Sequence, residues 1–144
     1  MNRCGTATAY GCYALLINLT ADCTLSIGKL GVIPFHAGYY CYIGSALNGL
    51  PQRITRHLRR EKKLHWHIDY LVQHADIIDV FYKESNRREE CEIAQVFLEK
   101  FPSIPGFGCS DCPCTSHLVY GSEDELKATT AHLQMSKYAV SKSL

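Results

Sequence analysis

The stretch that decides the fold is Ala9-Tyr10-Gly11-Cys12-Tyr13-Ala14-Leu15-Leu16-Ile17-Asn18-Leu19. It is an apolar run with no helix-capping signal, which reads as a buried strand. Thr20-Ala21-Asp22 turns the chain. Residues 24–27 and 32–35 flank Gly28-Lys29-Leu30-Gly31 and read as a hairpin, and Pro34, which has no N–H to donate, puts its second strand at an edge. Tyr39-Tyr40-Cys41-Tyr42-Ile43 is aromatic and β-branched, a further strand.

Beyond it, residues 44–51 form a Gly/Ser/Asn loop, and Pro51 fits the first turn of a helix. Residues 52–60 have helical spacing, with Ile54 and Leu58 on one face and Arg53, His57 and Arg60 on another. Residues 65–74 alternate as a strand would through Asp69, but Trp66, Tyr70 and the Leu71-Val72 pair favour a helix, the reading adopted. Residues 77–82 predict a strand. Residues 87–101 predict a helix with Ile93, Ala94 and Phe97 inward, stopped by Pro102. A Pro/Gly/Cys loop over 102–116 leads to a short strand over 117–120. Ser122 and Glu125 have capping-box spacing and open a helix to about Gln134. The whole is an α/β (α+β) order within one domain, residues 1–135, followed by a frayed tail over 136–144.

Composition narrows the class. The chain has 144 residues, 47% hydrophobic and 20% charged, enough for one domain with its own core. Fifteen Lys and Arg against fourteen Asp and Glu leave a net charge of +1, which excludes a uniformly basic coat and an acidic disordered tail. The charge is uneven, however. Residues 53–63 carry six Lys or Arg and one acid, Glu61, with His57 inside and His65 and His67 just after. Such a segment is a footprint for phosphate, or else a solvated helix face. The N-terminal residues lack the basic flank and apolar core of a secretory signal, and no apolar run reaches the roughly 20 residues of a membrane span. The expected compartment is the cytoplasm, where the eight cysteines stay reduced, with no membrane partner.

Gly11-Cys12-Tyr13 lies in one strand and Tyr42-Ile43-Gly44 ends another. Ser45-Ala46 follows, and then Arg53-Ile54-Thr55-Arg56-His57. This order resembles the GIY-YIG nuclease superfamily. More closely it is similar to its uncharacterised prokaryotic (Uri-type) branch, sometimes fused to endonuclease III-type proteins. The resemblance runs from about Gly11 to His117. It takes in His65-Trp66-His67-Ile68-Asp69-Tyr70-Leu71, Glu90-Cys91, Gly106-Phe107-Gly108, Ser110-Asp111-Cys112 and Ser116-His117-Leu118. It departs in reading Gly-Cys-Tyr for Gly-Ile-Tyr, and in a longer gap between Tyr13 and Tyr42, which holds the extra N-terminal hairpin.

The resemblance implies a small, mostly antiparallel sheet flanked by helices and a metal-dependent endonuclease acting on DNA or RNA. Tyr13 and Tyr42 match the motif tyrosines, Arg53 the helix arginine, and His57 a histidine of some members. Gly44, Ser45, Arg56, Arg60, Lys63, His65 and His67 are candidate substrate-binding residues. The chemistry agrees with these residue types: a guanidinium suits the charge on a phosphodiester, and a phenol can pass a proton. The divalent metal the resemblance implies, usually magnesium, prefers hard oxygen ligands such as a carboxylate. Glu90 is the choice, with Glu89 and Glu92 as alternatives, and steps of about 100° per residue prevent the three from sharing one direction. Ordinary roles stay open: Tyr13 and Tyr42 as sheet aromatics, Arg53 and His57 as solvated side chains, and His65 as a helix-start residue facing Asp69.

Cys109, Cys112, Cys114 and His117 fall within nine residues. With Cys91 from the preceding helix, Cys112, Cys114 and His117 could make a zinc site. The reading preferred to it is a loop packed by reduced cysteines, with Ser110 and Asp111 lining the cleft. Three functions follow: a nuclease, a nucleic-acid-binding module without turnover, or a zinc-stabilised interaction domain. A chain this short offers little recognition surface, so a homodimer or a DNA-repair partner is expected to supply it.

Overall fold

A computed structural model describes residues 10–46, 49–59, 61–85, 89–109 and 114–139. Its centre is the quoted run. Strand β1 (Gly11–Leu19) pairs antiparallel with β4 (Gly38–Ala46) on one side and β5 (Asp76–Glu84) on the other. Strand β6 (Leu118–Gly121) adds to β4, and β7 (Ser136–Lys137) to β5, so the five-stranded sheet has the order β6-β4-β1-β5-β7. Strands β2 (Cys23–Ile27) and β3 (Gly31–Phe35) form a separate two-stranded hairpin, with Pro34 on its second strand.

Lying third of five, β1 is covered on both faces, which is why its sequence is apolar but for the half-buried Asn18 near its end. Alternation still divides it. Tyr13, Leu15, Ile17 and Leu19 join a core with the hairpin, α1 (Leu50–Leu58) and α2 (His67–Val72). Cys12, Ala14 and Leu16 join a second core with α3 (Glu90–Lys100) and α4 (Glu123–His132). Strand β4 splits the same way, so Tyr13 and Tyr42 share the α1 face.

Several boundaries differ from the sequence reading. The loop read from residue 44 begins later, because Gly44–Ala46 continue β4 opposite Gly11–Tyr13. Helix α1 starts at Leu50 behind Gly49, whose φ of +78° suits glycine, and Pro51 sits in its first turn as expected. Helix α2 forms as read but starts at His67, so His65 precedes it. Helix α3 starts at Glu90, and residues 87 and 88, included in the helix from sequence, lie outside the described residues. The Ser122 hydroxyl caps α4 by accepting from the Glu125 N–H at 3.1 Å. Residues 136–137, read as frayed, pair with Phe81 and Tyr82 because β5 would otherwise present an open edge there. Among the described residues, no helix is long and apolar enough to cross a membrane.

Candidate active site

The site grows from the register of β1 and β4. Tyr13 stands opposite Gly44, and a Cβ on residue 44 would overlap the Tyr13 hydroxyl. Glycine there lets the phenol cross the neighbouring strand and reach α1. Its hydroxyl lies 2.6 Å from His57 Nε2. On α1, Leu50, Ile54 and His57 form the buried stripe, so His57 does not lie on a solvated basic face. Positions 50, 54 and 57 follow the helical period, and the Tyr13 hydroxyl gives the buried imidazole a polar partner. Tyr42 packs edge-on against His57 and Phe107, with ring centroids 6.2 Å away in both cases. Gly108 closes this wall: its φ is +75°, and a Cβ there would come within 2.9 Å of the Tyr42 ring.

Burial sets the protonation states. Desolvation pulls the His57 pKa down to about 3, so its imidazole is neutral at pH 7. Burial pushes the Tyr13 phenol up, opposed by the charge of Arg53 and a hydrogen bond from it. Tyr42 is likewise pushed well above its ordinary value by burial, with Tyr13 and Glu90 adding to the effect.

Polar contacts extend the site from Arg53 to α3. Arg53 Nη1 donates to the Ser45 carbonyl at 2.9 Å. The Ser45 hydroxyl donates to Glu90 Oε1 at 2.8 Å. The other Glu90 oxygen lies 2.8 Å from His117 Nδ1, a close approach that is off the line of an ideal hydrogen bond. Of the three glutamates considered, Glu90 is the one against Ser45. Glu89 takes the Ser85 hydroxyl and lies near Lys83, while Glu92 is exposed.

The basic segment is largely occupied with its own fold. Arg56 holds Asp69 through two hydrogen bonds of 2.9 and 3.0 Å and also meets the Lys63 carbonyl. Burial would raise the pKa of the fully buried Asp69, but Arg56 and the N–H groups of Trp66 and His65 outweigh that and hold it low. His65 therefore meets Asp69 through its backbone N–H, and its ring is exposed beside Trp66. Lys62 donates to the carbonyls of Arg56, His57 and Arg59 at the end of α1. Arg53 and Arg56 lie over the Trp66 ring, 4.6 and 4.3 Å from its centre. Lys63 is exposed. His67 Nδ1 accepts from the Gly108 N–H at 2.8 Å, so this ring positions the loop beside Tyr42, and burial keeps its pKa low.

A second cluster adjoins Glu90. The donor atoms of Cys91, Cys114 and His117 all lie within 4.8 Å of one another, a group that could hold a metal ion. Cys109 turns its sulfur to the Thr115 carbonyl. Cys112, Ser110, Asp111 and Arg60 lie outside the described residues.

The structure therefore gathers Tyr13, Tyr42, Arg53, His57, Ser45 and Glu90. The sequence reading left out Trp66 as a platform for two arginines and Phe107 as a wall. The only signal for either was its place inside a matching block. A depression of about 610 Å³ lies elsewhere, between the hairpin and Ser103–Pro105. Neither Arg53 nor Glu90 lines it.

Residues 12–139 match a family described as a domain of unknown function, DUF123. No match was found among curated proteins or among solved structures.

Proposed function

The chain belongs to the DUF123 family, and within that premise we propose that it is a metal-dependent endonuclease hydrolysing phosphodiester bonds in nucleic acid, with DNA the expected substrate. The observation that carries this reading is the convergence of a phenol–imidazole pair, a guanidinium and a carboxylate around Ser45. It agrees with the resemblance of the sequence blocks to the GIY-YIG nucleases.

Each residue has a task its geometry permits. Arg53 has five N–H donors and spends one on the Ser45 carbonyl, while its charge opposes the rise in the Tyr13 pKa. The rest can meet phosphate oxygens, whose charge grows as water attacks phosphorus and the ester P–O bond breaks. The hydroxyl of Tyr13 accepts the proton leaving that water while passing its own toward neutral His57. With His57 near 3 and the phenol raised, full transfer in the resting site is strongly uphill. The pair works only as charge develops. Tyr42 and Trp66 keep the phenol and Arg53 in place.

Magnesium prefers hard oxygen ligands and keeps several waters, so one carboxylate beside a hydroxyl fits it, whereas the neighbouring thiols do not. Glu90, with Ser45 at 2.8 Å, would hold it. When bound, the ion supplies positive charge to the phosphate and the leaving oxygen. The test is to incubate purified protein with double-stranded, single-stranded and branched DNA, and with RNA, in magnesium or manganese. Metal-dependent cutting that Arg53→Ala and Glu90→Ala both lose is the expected result. No cutting of any form, or cutting equal in both variants and wild type, refutes the reading. Salt-dependent binding without turnover would favour a binding module instead.

A further inference from the structure

We propose that Cys91, Cys114 and His117 bind a zinc ion that ties the first turn of α3 to the loop entering β6. The three residues come from segments 23 positions apart in sequence, yet their donor atoms fall within 4.8 Å of one another. A tetrahedral zinc with bonds of about 2.3 Å to sulfur and 2.0–2.1 Å to nitrogen sets its ligands roughly 3.5–3.8 Å apart. Drawing these atoms onto an ion therefore needs only side-chain adjustment.

The donors select the metal. Two thiols and an imidazole are the ligands of zinc and poor ligands for magnesium or calcium. Binding releases the two thiol protons, since the thiolate is the ligand form.

The surroundings are built as well. His117 is 1% exposed, and its backbone is held on both sides. Its N–H donates to the Phe107 carbonyl at 2.8 Å, and its carbonyl accepts from the Ile43 N–H at 3.0 Å. Glu90 Oε2 lies 2.8 Å from His117 Nδ1, close enough for the carboxylate to take that N–H and fix the ring once the ring turns onto the ion. Glu90 precedes Cys91 on the same turn of α3. An ion here would lock both the histidine and the carboxylate that also touches Ser45. It is separate from the ion proposed at Glu90, and the inference does not rest on the hydrolase reading.

Untagged full-length protein, dialysed against metal-free buffer, is assayed for zinc and then exchanged with cobalt(II). The expected results are one zinc per chain and a cobalt form with thiolate charge-transfer and tetrahedral visible bands. Cys91→Ser and Cys114→Ser lose the metal and these bands, while Cys109→Ser and Tyr13→Phe keep both. Folded wild type with no zinc above trace and no thiolate bands overturns the inference, as does equal zinc in the Cys91→Ser, Cys114→Ser double variant. Should the serine variants fail to fold, alkylation of the wild type with and without zinc decides: zinc should protect Cys91 and Cys114 from iodoacetamide, and equal labelling of both with and without the metal overturns the inference. None of these readings depends on turnover, so a failed cleavage assay leaves them unaffected.

Discussion

The two faces of β1 are equally buried but do different work. On one face, Cys12, Ala14 and Leu16 meet Ile93, Phe97 and Leu126 in an apolar layer. Its thiols are inert: burial pushes Cys12 up to about 11 and raises Cys41 as well. On the other face, the same depth of burial holds Tyr13, His57 and Asp69. Burying such groups is unfavourable unless each finds a partner. Tyr13 and His57 partner each other, and Asp69 has Arg56. One strand thus supplies stability from its even positions and a polar constellation from its odd end.

The sharpest way to break this contrast is to truncate each face in turn. Leu16→Ala should cost about 2–5 kcal/mol in urea unfolding and leave cleavage per folded molecule unchanged. Under the proposed function, Arg53→Ala should lower cleavage roughly 10²–10³-fold, the usual loss for one transition-state donor, with little change in melting temperature. If Leu16→Ala abolished turnover while remaining folded, the division between the faces would fail.

The buried acid offers a finer test. Arg56→Ala strands Asp69, and should cost about 2–4 kcal/mol, discounted because Arg56 is partly exposed. Asp69→Asn should cost less, since it leaves no buried charge behind. Equal losses, measured by thermal unfolding, would mean that Asp69 does not depend on its cation.

Acid titration then isolates His57. Its folded pKa is near 3 and its ordinary value is 6.5. Between these values the unfolded chain takes up a proton that the folded chain refuses, so stability falls as pH drops, by about 1.4 kcal/mol per unit. Asp69, held low, adds its own loss only at more acid pH, below its ordinary value of 3.8. His57→Gln should flatten the slope between pH 6 and 4, read from denaturant midpoints. The smallest effect belongs to the apolar side: Ser122→Ala removes the α4 cap, about 1 kcal/mol, and should leave the odd face untouched.

Much of the fold was legible because its signals are local. A long apolar run marks β1, Pro51 marks the start of α1, and Ser122 with Glu125 marks the start of α4. The site was legible only as residue types in order. His57 reads as sharing a face with Arg53 and Arg60 until Ile54 and Leu50 are seen to share its stripe. His67 reads as a candidate substrate contact, and only the fold shows that its Nδ1 also holds the Gly108 N–H. Glu90 is preferred from sequence with Glu89 and Glu92 as alternatives, and the direction of α3 puts Glu90 against Ser45.

By itself the sequence determined which segments extend, which coil, and where two helices begin, because those choices depend on neighbours within a few residues. It also determined the stock of chemistry: two motif tyrosines, a basic helix, and cysteines around a histidine. Only the tertiary structure decided which of these meet. Tyr13 reaches His57 across 44 positions, Ser45 reaches Glu90 across 45, and Cys91 joins Cys114 and His117. Those meetings follow from the pairing of β1 with β4 and from the helices laid on each face. A one-residue slip in that pairing would turn Tyr42 to the opposite face, away from Tyr13 and His57.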